Sequence, residues 1–112
     1  MPFAVRFQPA ALEDLDEAFK FAAKKAPNTA ERWLERFHSE IGERLSHDPR
    51  RCQIAPENRR SKERTIQQYL FGKRPNIYRV IFTVEDETVW ILRIRRAQRR
   101  TLSHKKLGGP HE

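Results

Sequence analysis

The sequence predicts an α+β domain: an N-terminal strand, then an antiparallel helical hairpin packed on one face of an antiparallel sheet, in the order β-α-α-β-β-β. Three observations carry this. Two consecutive stretches repeat apolar residues at helical spacing, with only Ala26-Pro27-Asn28-Thr29 between them. Two later stretches, 77–84 and 88–95, are rich in β-branched and aromatic residues and flank Glu85-Asp86-Glu87. A short alternating segment precedes them all. At 112 residues the chain has the size of one domain.

Each element has its own signal. In residues 3–8, Phe3, Val5 and Phe7 share one face, as in a short strand. Pro9 ends that strand and opens a helix, where its missing N–H is not needed. The first helix is predicted from Pro9 to Lys25, with Leu12, Leu15, Phe19 and Ala22 as its apolar stripe. Acidic residues fill its first half and Lys20, Lys24 and Lys25 its second, which suits the helix dipole. The second helix runs to His47, and Ala30, Trp33, Leu34, Phe37, Ile41 and Leu45 form the strongest periodicity in the chain. Asp48-Pro49 stops it. Residues 50–63 are polar, basic and aperiodic, and read as an exposed loop. A strand follows at Arg64–Phe71, then a turn at Gly72–Asn76, then the hairpin 77–95. The domain is expected to span 1–107, with 108–112 as a frayed tail.

Composition excludes several classes. Two Trp, two Tyr and seven Phe argue against a disordered chain. The single Cys52 excludes an intrachain disulfide framework and a multi-Cys zinc site. His38, His47, His104 and His111 have no metal-ligand spacing, and no cofactor motif is present. No apolar run approaches the roughly 18 residues of a membrane span, and acidic residues stand where a signal peptide would need an apolar stretch. A cytoplasmic location is the expectation.

Charge is uneven. Residues 1–49 hold seven basic and nine acidic side chains; residues 50–112 hold sixteen and six, so the C-terminal part carries +10 of a net +8. Such a block calls for an acidic partner. A three-residue loop at 85–87 would pair Val84 with Thr88, Phe82 with Trp90, Val80 with Leu92 and Tyr78 with Ile94, gathering seven large side chains on one face. The opposite face would then carry Arg79, Ile81, Ile91, Arg93 and Arg95. With helices on one side only, these arginines would lie on an open surface, held for an anionic ligand or paired with Glu57, Glu63 or Glu112.

Ala11…Asp14-Leu15…Ala18, Ala30…Trp33…Phe37…Ile41…Leu45…Pro49, and Tyr78-Arg79-Val80-Ile81-Phe82…Val89-Trp90-Ile91-Leu92-Arg93-Ile94 with the closing Arg-rich segment resemble the RelE/ParE superfamily, the toxins of bacterial type II toxin–antitoxin modules. The resemblance runs to about residue 105. It implies a plasmid-stabilising or addiction role, and a hetero-oligomer with an acidic antitoxin that masks the working surface. The ParE-like branch poisons DNA gyrase; the RelE-like branch cleaves messenger RNA on the ribosome. A non-toxic RNA- or partner-binding module is a third class.

The RelE-like reading would give Arg79 and Arg99 a phosphate-stabilising role, and His104 that of proton donor. Gln67-Gln68-Tyr69-Leu70 stands where that branch has strand lysines, and no tyrosine matches its C-terminal one. The balance therefore favours the gyrase branch, with Arg64, Lys73, Arg74, Arg93, Arg95 and Arg96 as target-binding cations.

Overall fold

The computed structural model describes residues 2–61, 63–97 and 104–108, and for Arg60, His104 and Lys105 the backbone alone. The chain runs β1 (Ala4–Phe7), α1 (Pro9–Lys25), α2 (Ala30–His47), a 3-10 turn (Pro49–Arg51), β2 (Gln53–Ile54), a 3-10 segment (Pro56–Arg60), β3 (Gln67–Phe71), β4 (Tyr78–Glu85), β5 (Thr88–Arg96) and α3 (His104–Leu107). The predicted helical hairpin is present with its expected bounds, α2 starting one residue after Thr29. The five strands form one sheet in the order β1-β5-β4-β3-β2.

The sheet is mixed rather than wholly antiparallel. β1 lies parallel to β5, Val5 opposite Val89 and Phe7 opposite Ile91, while the remaining pairs are antiparallel. The helical hairpin carries the chain away from β1, and the strands then step back across the sheet until β5 reaches it. No local pattern encodes a pairing between segments so far apart.

α1 buries Ala11, Leu15 and Ala18 and leaves Leu12 51% exposed. Its inward stripe is thus turned from the one expected, because small alanines let the helix approach its neighbours closely. α2 buries Ala30, Phe37, Ile41 and Leu45 as predicted. Phe37 stacks on Phe71 of β3 at 4.1 Å between ring centres, and Trp33 packs against Phe37, Phe71 and Tyr78. These rings join Val80, Phe82, Val89, Ile91 and Ile94 in the main core between helices and sheet.

The β4–β5 register differs from the expected one. The loop has two residues, Asp86 and Glu87, with Glu85 opposite Thr88, Val84 opposite Val89 and Phe82 opposite Ile91. Asp86 takes φ 56°, a left-handed conformation that aspartate tolerates better than most residues. Such a loop alone would have set Arg93 beside Val80. A bulge prevents this: the partner of Ile81 is Arg93, so Leu92 is an extra residue in β5, and Ile94 comes to lie opposite Val80. Ile91, expected on the outer face, therefore belongs to the main core.

The outer face is covered as well. Ala55, Ile66, Ile81, Leu92 and Leu107 form a second buried cluster, with Trp90 against it. Part of its lid comes from Ala55 and the Pro56–Arg60 segment, within the 50–63 stretch that reads in sequence as an exposed loop, and part from Ile66, which was expected in a strand from Arg64. The Ala55 N–H donates to Ile66 O at 2.9 Å, the Ile66 N–H to the Asn58 side-chain oxygen at 2.8 Å, and Asn58 N–H to Ala55 O at 3.0 Å. Those bonds let a polar segment lie flat against apolar residues without stranding its backbone.

Candidate functional site

The predicted cations are not gathered on one open surface. Arg79 is 6% exposed. Its fork is engaged at two points by Glu57, Nη1 to Oε1 at 3.1 Å and Nη2 to Oε2 at 2.7 Å, and Nη1 also reaches Gln68 Oε1 at 2.6 Å. Of the two readings the sequence allowed for this arginine, pairing with Glu57 is the one observed.

Arg93 also departs from expectation. It turns to α1, where Nε and Nη2 bind Asp14 at 2.7 and 3.0 Å, while Nη1 donates to Lys106 O at 3.2 Å. The same carboxylate accepts the Ile94 N–H at 2.9 Å. β1 stops opposite Ile91, so beyond it β5 is paired only on its β4 side, and on the other edge Asp14 supplies the acceptor for Ile94 N–H. The Asp14 hydrogen bond holds the Arg93 guanidinium above its ordinary pKa, against the opposing effect of burial.

Arg95 and Arg96 come together with α1 in a cleft of about 370 Å³, whose wall includes Lys20, Phe21, Lys24 and Tyr78. Arg96 lies over the Phe21 ring at 4.6 Å and donates to Asn76 Oδ1 at 3.2 Å. The contribution of α1 was missed. Glu17, Lys20, Phe21 and Lys24 recur at spacings of three and one on one side of the helix, a signal readable from periodicity once the buried stripe is placed on Ala11, Leu15 and Ala18.

Of the other candidates, Lys73 and Arg74 are exposed in the β3–β4 turn. Gly72 there has φ +101°, and a Cβ would stand 2.5 Å from Asn76 O, so the turn requires glycine. Arg64 is half-buried and donates to Gly108 O. Arg99 lies outside the described residues, as does the side chain of His104.

A second groove runs between the end of α2 and the β2–β3 edge, lined by Arg44, His47, Arg51, Cys52, Tyr69 and Leu70 among others. Tyr69 donates to Glu40 at 2.5 Å, and burial together with that carboxylate pushes its hydroxyl up to about 12. Burial also raises the Cys52 thiol above its ordinary pKa. Neither group is poised to lose a proton at neutral pH. Among the described residues, no group of three or more His, Cys, Asp or Glu side chains could hold a metal ion, and no helix is long and apolar enough to cross a membrane.

The sequence matches the family model for the ParE toxin of the type II toxin–antitoxin system parDE over residues 5–101. Among solved structures, a chain of the chromosomal ParDE system from P. aeruginosa is similar with a TM-score of 0.67 and 18% identity, over 86% of this chain and 97% of that one. A mutant of the E. coli toxin RelE in the free state gives a TM-score of 0.47 and 20% identity, over 88% and 86% of the two chains. No curated protein matches significantly.

Proposed function

The chain belongs to the ParE toxin family of type II toxin–antitoxin systems, and from that premise we propose that it inhibits growth by acting on DNA gyrase and is neutralised by a cognate acidic antitoxin. The observation that supports the gyrase reading is the state of Arg79. A messenger-cleaving site on this face would aim that cation at a phosphate, yet here its fork is already filled by Glu57. A catalytic cation spent on an internal carboxylate adds nothing to a transition state. A protein that acts by binding its target has no such requirement.

The α1–β5 cleft is the seat that best suits the antitoxin. It offers Lys24, Arg95 and Arg96 around Phe21 and Tyr78, a combination that takes an acidic segment carrying an apolar side chain. The antitoxin is expected as the product of an adjacent gene and as a hetero-oligomer with this chain.

The deciding measurement sets gyrase supercoiling beside transcript cleavage on translating ribosomes, with the purified protein in both. Inhibited supercoiling without cleavage is expected. Cleavage without gyrase inhibition would overturn the gyrase reading and return Arg79, Arg99 and His104 to a catalytic role. Co-expression with the neighbouring gene should yield a complex, and Arg95→Glu with Arg96→Glu should weaken it by at least tenfold; an unchanged affinity would place the antitoxin elsewhere.

A further inference from the structure

We propose that Arg79 and Gln68 form a carboxylate receptor on the sheet face away from the helices, that Glu57 is its resident ligand, and that the Pro56–Arg60 segment thereby closes this face to external oxyanions. The proposal rests on the Arg79–Glu57 geometry and not on the choice of gyrase as the target.

The receptor is built rather than incidental. Arg79 stands in the middle strand region of the sheet, with Leu70 and Arg95 as its cross-strand neighbours. Gln68, two residues along β3, accepts from Nη1 at 2.6 Å and is itself fixed by donating to Gln53 Oε1 at 3.0 Å across β2. The guanidinium therefore has a set direction, with both Nη atoms presented to the same point above the sheet. A carboxylate takes such a fork at two points. Glu57 does so with a side chain only 1% exposed, against 8% for Arg79.

The ligand arrives on a separable piece of chain. Glu57 lies in a five-residue 3-10 segment that is joined to the sheet through Ala55, Asn58 and Ile66. Glu57 thus belongs to the lid and Arg79 to the sheet. An acidic side chain in the strongly basic C-terminal part of the chain is also scarce: residues 50–112 hold six against sixteen basic ones. One of the six is committed here, almost completely buried, at the most buried arginine among the described residues.

This assignment makes a chemical prediction. Glu57→Ala removes a CH2–COO⁻ fragment, and acetate is that fragment as a free molecule. In chloride the variant should melt well below the wild type. In acetate at equal ionic strength its melting temperature should rise by about 4 °C or more, as expected when a ligand binds the folded state at several times its Kd. The wild type should melt identically in the two salts, because its receptor is full. Glu57→Ala combined with Arg79→Leu should show no acetate effect, which separates this site from any other cation on the molecule. Should Glu57→Ala fail to fold in chloride, recovery of the folded state in acetate is the expected result. Four outcomes overturn the proposal: a folded Glu57→Ala indifferent to acetate, a variant unfolded in both salts, a double variant that responds as strongly as the single, or a wild type that responds as strongly as Glu57→Ala.

Discussion

The two faces of the sheet are held by different chemistry. Against the helices lies a continuous apolar core built on Phe37, Phe71, Tyr78, Val80 and Phe82. On the outer face a buried cluster of Ala55, Ile66, Ile81, Leu92 and Leu107 sits beside a polar network of Arg79, Glu57 and Gln68, and the Thr83 hydroxyl donates to Thr65 O at 2.8 Å. Residues alternate between these environments along β4, so one strand serves both. The apolar face tolerates any good fit of volume; the polar face works only if every partner is in place. One is therefore robust in sequence and the other is specified residue by residue.

The strongest way to test that contrast is to damage each face once. Phe37→Ala empties the centre of the aromatic cluster and should cost about 3–5 kcal/mol in a urea titration, the usual range for deleting a buried ring. A conservative Phe37→Leu should recover most of it.

On the outer face, Arg79→Leu or Glu57→Leu alone should destabilise by about 3–5 kcal/mol, because each leaves an uncompensated buried charge. The two substitutions together should cost much less than their sum. Additive losses in a double-mutant cycle would mean that the ion pair is not the element holding this face.

Asp14→Ala acts at the sheet edge, between the two faces. It removes the Arg93 pair and the acceptor for Ile94 N–H. Because Arg93 is partly exposed, a loss nearer 1.5–3 kcal/mol is expected, as for a hydrogen bond to a charged group. Asp14→Asn should retain part of it, and hydrogen exchange at Ile94 should accelerate in both.

The smallest effect belongs to Tyr69. Its hydroxyl is raised by burial and by Glu40, so the folded state holds the proton more tightly than the unfolded chain does. The stabilisation is present in full below the ordinary tyrosine pKa of about 10 and is lost as pH rises to about 12. Tyr69→Phe should cost about 1 kcal/mol at neutral pH, and its stability should fall less than the wild type's over that alkaline window. Parallel pH curves would remove Tyr69 as the cause.

Much of the fold was legible without coordinates. The bounds of α1 and α2, the inward Trp33, Phe37, Ile41 and Leu45 and the existence of the hairpin strands follow from short-range patterns, while the family comes from the resemblance of motifs in their order along nearly the whole chain. Helical periodicity, a proline at a helix start and an Asp-Pro stop act within a few residues. The candidate site was legible in part: Arg95 and Arg96 were singled out, but not Lys20, Lys24 and Phe21 opposite them, because the stripe chosen for α1 was Leu12 rather than Ala11. An exposed leucine and a buried alanine invert what hydrophobicity alone suggests.

Other features depend on contacts between distant segments. A strand's neighbour depends on where the chain returns, so the parallel pairing of Val5 with Val89 leaves no mark near either residue. The extra Leu92 is visible only once Ile94 must meet Val80. Whether Arg79 faces solvent or Glu57 depends on how the polar segment that carries Glu57, 22 residues upstream, lies across the sheet, secured by the Asn58 side chain. Charge and periodicity are properties of the chain, whereas burial of a charge requires a partner brought from elsewhere, and only the packed structure supplies that partner.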